Sequence, residues 1–410
     1  MSVKINFPTP SARPGDIPDF SNYKFPDPGV LSVPPLEMTA EESREYANSL
    51  IRVLDKEGNA VGPWSDYLGE EGLEDALLQG LRDMLQMRAI DARMLNAQRQ
   101  GKTTFYLQCT GEEAIGCAFQ KQLHPGDMNF PTYRQQSLLV ASGYPLKSLF
   151  GQYYQNENDP LSGRQLPTLH SAKDYGFFTI SGNLGTQYVQ AVGWAMAAAL
   201  TGTDNISAAW IGDGATASND YHSAMVTAAV YKPPVILNVV NNQWAISSFS
   251  GIAGGSASTF ASRGVGYGIP SIRVDGNDFL AVMAATKWAT KRTRGGFGPV
   301  VIEWVTYRVA AHSTSDDASA YRPKEEAEAW PLGDPVERLK QHLINRGKWS
   351  EARHKQGVAE IMDEVITAQK ESEALGTFLN PQYLSPSAIF EGVYEEMPEH
   401  LKRQRQDMGA

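Results

Sequence analysis

A chain of 410 residues with 42% apolar content is large enough to bury one sizeable core or several. A net charge of −10 without any basic run argues against nucleic acid or an anionic membrane as a partner. Two cysteines, Cys109 and Cys117, exclude a disulfide framework and match no common zinc spacing, so buried free thiols in a reducing compartment are expected.

The opening MSVKINFPTPSARPGDIPDF has neither the apolar stretch of a secretory signal nor the Arg-rich pattern of a transit peptide. The longest apolar run, Ala191–Leu200, is too short to span a bilayer, and a cytoplasmic location is expected. Residues 1–37 hold much of the proline, which bars helix and central strand, so they read as an extended arm. Arg52–Val61 reads as a hairpin turning at Lys56–Gly58. A long amphipathic helix follows, with Leu73, Leu77, Leu81, Met84 and Leu85 on one face and Gly101 as its stop.

From about residue 105 to 310, β-rich apolar runs alternate with helical patterns. Ile206–Gly212, Val235–Val240, Ser271–Gly276 and Val300–Tyr307 read as strands, and Tyr221–Val230 and Phe279–Arg292 as helices between them. Such a series predicts an α/β fold, a parallel sheet with helices on both faces. Asp334 reads as a helix cap, with Pro335 in the first turn, Glu337 as the reciprocal acid and Gly347 as terminator. Val358, Ile361, Met362 and Val365 form a further helical stripe. The expected organisation is an arm (1–37), an α/β domain with its hairpin and first helix (38–333), C-terminal helices (334–377), and a tail packing on a partner (378–410).

The stretch WIGDGATASND places Asp213 between two glycines where a strand should end. Gly212-Asp213-Gly214-Ala215-Thr216-Ala217 fits the loose dinucleotide pattern, but that motif needs an acid ending the next strand. The next strand ends in Asn241-Asn242 instead, and a carboxylate in the glycine turn would repel a pyrophosphate unless a cation intervened. Two adjacent parallel strands joined by one crossover helix end on the same rim, where α/β folds bind ligands. A carboxylate, an amide oxygen and a nearby carbonyl form a hard oxygen shell suited to Mg²⁺ and a diphosphate. The helix starting near Ser218 would turn its N-terminus toward that anion.

Gly212-Asp213-Gly214, residues 215–240, then Asn241-Asn242 resembles the thiamine-diphosphate motif. FYLQCTGEEAIGCA, PTYRQQSLLVASGYP, GYGIPSIRVDGND and AAHSTSDDASAYRP extend the likeness to the α subunits of 2-oxo acid dehydrogenase decarboxylating components. HSTSDDASAYR and YGFFTISGNLGTQ resemble the branched-chain members more than their pyruvate or acetoin counterparts, which remain the rival reading. The resemblance implies a thiamine-diphosphate-binding fold and Mg²⁺ held by Asp213, Asn242 and the carbonyl of Trp244. It assigns the diphosphate to Tyr133, Arg134, Gly212, Gly214 and Ala215, and packing on the cofactor to Leu184 and Ile246. His312 would lie over the reactive ring and handle protons. It further implies a β subunit in an α₂β₂ assembly, a lipoyl acyltransferase core, and branched 2-oxo acids from valine, leucine and isoleucine as substrates.

Departures from the family are visible. Val240 and Gly182 stand where relatives carry a phosphate-side arginine and serine. Ser181, Thr186 and Gln187 persist from a potassium site that Gly182 puts in doubt, and Ser313 matches a serine that kinases modify in some relatives. Glu112 and Glu113 read only as acids suited to a helix start. No glutamate is found in a setting suited to the cofactor's aminopyrimidine, and strands suffice for only one of the two domains such a site needs. A second polypeptide must supply the rest.

Overall fold

The computed structural model describes residues 5–378 and 385–410. Its strands are β1 (Met128–Phe130), β2 (Ser207–Gly212), β3 (Val235–Asn241), β4 (Trp244–Ala245), β5 (Ser248–Phe249), β6 (Ser271–Asp275) and β7 (Val300–Val305). Five of them form a parallel sheet in the order β1-β2-β3-β7-β6, while β4 and β5 make a small antiparallel ribbon directly after β3.

The sheet is apolar because both faces are covered. β3 reads Val-Ile-Leu-Asn-Val-Val-Asn and is buried throughout. The pleat sends Ile236 and Val240 to one core, with Ala208, Trp210, Ile302 and Trp304. Val235, Leu237 and Val239 face the other, with Ala209, Ile211 and Val301. Helices Leu73–Arg99, Glu113–Gln120 and Phe279–Arg294 cover the first face; Thr186–Thr201 and Asn219–Tyr231 cover the second. Asn238 is tolerated mid-sheet because its amide is satisfied, donating to the Ala209 carbonyl at 3.0 Å and accepting from Trp304 Nε1 at 2.9 Å.

The expected strands and helices appear with ends shifted by a few residues. On the long helix Leu73, Leu77, Leu81 and Met84 are buried, Leu85 is half-buried, and Gly101 terminates it at φ 72°. β1 was not anticipated: it is three residues long and ends at Pro131, too short for any periodic signal. Arg52–Val61 does close as a hairpin, with Leu54 bridged to Ala60. A buried ion network fixes it to the sheet. Asp278 Oδ2 accepts from the Val53 and Leu54 N–H groups at 2.9 and 2.6 Å, and Arg338 pairs with Asp275 at 2.8 Å and Asp278 at 3.2 Å.

Helices Pro335–Asn345 and Glu351–Ala374 pack back on the long helix, adding Leu339, Leu343, Ile361 and Val365 to the first core, while Val358 is exposed. Asp334 caps its helix through the N–H groups of Val336 and Glu337. The reciprocal half of the cap is absent, because Glu337 turns to Lys340 Nζ at 2.7 Å, a full positive charge one turn on. The arm lies along its own chain: Phe20, Tyr23 and Phe25 set their rings around Trp330, and Trp288 Nε1 donates to the Pro34 carbonyl at 2.9 Å. Of the tail, residues 379–384 lie outside the described residues; beyond them Arg164 donates to the Ala388 carbonyl at 2.9 Å. Among the described residues no helix is long and apolar enough to cross a membrane.

Candidate active site

Four strands deliver their C-terminal ends to one rim. β1 leads into Thr132–Gln135, β2 into Gly212–Ala215, β3 into Asn242–Ile246, and β7 into the loop carrying His312. The β2–β3 register pairs Gly212 with Val240, so Asp213 and Asn242 both lie just beyond the last paired residues. A cavity of about 510 Å³ opens there, and every residue assigned from the sequence lines it: Tyr133 and Arg134, Leu184, Gly212 to Ala215, Asn242, Trp244, Ile246 and His312.

Asp213 is buried at 2% exposure. Its Oδ1 accepts from the Gly214 N–H at 2.8 Å, and Oδ2 has no partner. Burial, assisted by the nearby Glu112 charge, pushes its carboxyl up to about 7. An orphaned carboxylate oxygen in a cavity wall is a group whose counter-ion is still to come. Gly214 is required by contact: a Cβ there would meet Ala245 Cβ at 2.3 Å, so the turn after β2 and the ribbon after β3 nearly touch. The Gly214–Ala217 turn precedes the helix that Ser218 caps, and Ala217 and Ser218 bring that helix start to the cavity.

Asn242 is also buried, with Nδ2 donating to Glu112 Oε1 at 2.7 Å and Oδ1 accepting from the Trp244 N–H at 3.3 Å. The turn after it is held open: Gln243 and Ile246 both take positive φ, 75° and 54°, a conformation a β-branched residue rarely adopts. Arg308 secures that turn from below, donating to the Trp244 carbonyl at 2.7 Å, the Ile246 carbonyl at 3.0 Å and Tyr321 Oη at 2.8 Å. The Trp244 carbonyl therefore has one lone pair engaged and one left for a cation.

Arg134 is the only Lys or Arg side chain lining the cavity among the described residues, against two carboxylates, Glu112 and Asp213. It donates to the carbonyls of Gln108 at 2.5 Å and His312 at 2.8 Å, and lies 3.7 Å from Glu112 Oε1. His312 offers Nδ1 at 3.3 Å to Arg134 and Nε2 at 3.4 Å to Tyr133 Oη, while its backbone N–H is held by Asp316 Oδ2 at 2.7 Å. Burial, with the charges of Arg134 and Arg308, lowers its pKa to about 3, so the ring is neutral at physiological pH. Because a guanidinium can only donate, Nδ1 is the acceptor and the single ring proton sits on Nε2.

The sequence reading missed Glu112 and Arg308. Glu112 was read as a helix-start acid, and it does stand at the N-cap of Glu113–Gln120, but its side chain turns into the cavity. Glu113 has the structural role, pairing with Arg88 at 2.7 Å and accepting from the Gly111 N–H. Among the described residues no cluster of three or more His, Cys, Asp or Glu side chains could hold a metal, so a cation here depends on amide, carbonyl and ligand oxygens. A second cavity of about 520 Å³, near Thr103 and Phe378, has its two charged side chains, Lys102 and Glu373, already paired at 2.9 Å.

Comparison with known proteins places residues 81–378 under the family model "Dehydrogenase E1 component" and residues 2–41 under "2-oxoisovalerate dehydrogenase E1 alpha subunit N terminal". The chain is 54% identical over 408 residues to the 2-oxoisovalerate dehydrogenase subunit alpha of Pseudomonas aeruginosa, covering 100% of this chain and 98% of that one. It is 38% identical over 361 residues to the mitochondrial subunit alpha of Mus musculus (88% and 79% covered) and 37% identical over 360 to that of Caenorhabditis elegans (86% and 80%).

Proposed function

The chain belongs to the dehydrogenase E1 component family, among the α subunits of branched-chain 2-oxo acid dehydrogenases, and from that premise we propose how its cavity serves the reaction. The family uses thiamine diphosphate. The cavity suits a Mg²⁺–diphosphate group: Asp213 Oδ2 lacks a partner, the Trp244 carbonyl keeps a free lone pair, and one guanidinium alone cannot balance a diphosphate beside two carboxylates. That charge deficit is the observation that carries the reading. Asp213, Asn242 and the Trp244 carbonyl would hold the cation. Tyr133, Arg134 and the Gly212–Ala215 turn would hold the diphosphate, with Leu184 and Ile246 as apolar packing.

When bound, the cofactor supplies the electron sink that loss of CO₂ from a 2-oxo acid requires. The chain's own contribution is placement and proton handling. His312 presents a protonated Nε2 beside Tyr133 Oη and can donate to an oxygen that gains charge during reaction. Its neutral state rests first on burial and then on Arg134 and Arg308, whose positive charges disfavour the imidazolium. The exposed apolar rim at Ile246 and Ile252 excludes water only once another chain covers it. We assign that cover to a β subunit in an α₂β₂ assembly, which also brings the missing carboxylate, and the acyl product to the lipoyl domain of an acyltransferase core in the cytoplasm.

Co-expression with a candidate β subunit tests this. Decarboxylation of 3-methyl-2-oxobutanoate should exceed that of pyruvate and should require both thiamine diphosphate and Mg²⁺. Turnover without either, or a preference for pyruvate, would overturn the assignment.

A further inference from the structure

Glu112 is buried at 4% exposure, with Oε1 accepting from Asn242 Nδ2 at 2.7 Å and Oε2 unpartnered in the cavity wall. An asparagine amide has two faces of opposite use. Its oxygen can bind a cation, whereas its NH₂ group repels one, and the two orientations fill the same volume. Two neighbours select between them: the Trp244 N–H, which donates to Oδ1 at 3.3 Å, and, at the shorter 2.7 Å, Glu112 on the NH₂ side. Glu112 Oε1 accepts from Nδ2, which fixes the NH₂ group toward Glu112 and leaves Oδ1 as the face for the cation. Arg134 Nε, 3.7 Å from the same Glu112 oxygen, steadies that acceptor from its other side.

Resting on the Mg²⁺ reading above, we infer that Glu112 is a positioning residue: it orients the Asn242 amide so that oxygen, and not nitrogen, meets the cation. Glu112 itself need not touch the metal. Its charge also acts on Asp213 and Arg134, so the orienting role is separated from a charge effect by a variant that loses the charge and keeps the acceptor.

The test uses the assembled α/β protein saturated with thiamine diphosphate, titrated with Mn²⁺ by electron paramagnetic resonance and with Mg²⁺ by tryptophan fluorescence. Glu112→Met, similar in size but without an acceptor, should weaken cation binding about tenfold or more, the scale of a lost charge-assisted hydrogen bond. Glu112→Gln removes the charge but keeps an oxygen for Asn242, and should bind within about threefold of wild type. In an Asn242→Asp background, where both oxygens are equivalent, adding Glu112→Met should bring no further loss. A Gln variant that binds the cation about tenfold or more weakly than wild type overturns the orientation role, and this arm decides even if the Met variant does not assemble. Equal binding by wild type and Met variant, or a penalty that persists beside Asn242→Asp, overturns it too. Failure of the wild-type protein to bind either cation is a different result and overturns the Mg²⁺ reading itself.

Discussion

Replacing Asp213 by asparagine should make the metal-free protein more stable near neutrality while removing its response to Mg²⁺. The carboxyl is buried, and its pKa stands at about 7 against an ordinary 3.8. A raised folded-state value means that between those two pH values the native state binds the proton more tightly than the unfolded chain. Stability therefore falls as pH climbs from about 4 to 7, and the penalty is complete above that range. Three pKa units at about 1.4 kcal/mol each set an upper bound of about 4 kcal/mol, and relaxation of the site reduces this to about 1–3 kcal/mol. Asparagine retains the Oδ1 acceptor for the Gly214 N–H, so the turn itself is kept. The assay is thermal unfolding of EDTA-stripped protein. The variant should melt a few degrees above wild type near pH 8, with the gap shrinking near pH 4.5. Adding Mg²⁺ and thiamine diphosphate at about 100 times their dissociation constants should stabilise wild type alone by about 2.7 kcal/mol, enough to close or reverse the gap. A variant no more stable than wild type near pH 8, or a gap equal at both pH values, would refute the reasoning.

His312→Ala should lower kcat by about 10²–10⁴ while leaving cofactor affinity within a few-fold, read by steady-state kinetics beside fluorescence titration. Near-normal turnover would remove the proton-handling role. Gly214→Ala forces the turn after β2 away from Ala245, which its Cβ would otherwise meet at 2.3 Å, so Mg²⁺–diphosphate affinity measured by calorimetry should fall about tenfold or more. Arg338→Met leaves Asp275 and Asp278 buried with a major partner gone and should cost about 3–5 kcal/mol in denaturant unfolding.

The parts of the molecule legible in its sequence are those whose physics is periodic or local. β2, β3 and β7 announce themselves as continuous β-branched runs because both faces of the sheet are covered. Asp213 and Asn242 stand out because a polar residue ending such a run has to face the rim. β1 carries no such signal at three residues, yet it delivers Tyr133 and Arg134; only the family likeness placed them. Glu112 was hidden by a sufficient local explanation, since an acid at a helix start needs no other reason. Arg308 was hidden because most of its partners are main-chain carbonyls, which no side-chain pattern records.

One contact made by the arm bears on how this protein can be handled. Tyr23 Oη donates to Gln243 Oε1 at 3.0 Å, and Gln243 is the positive-φ residue seated between Asn242 and Trp244. The leading segment is thus a guy-rope on the loop proposed to hold magnesium. Trimming the chain to its first helix, a common step when preparing proteins for crystals, would cut that tether and leave Gln243 without its Tyr23 donor.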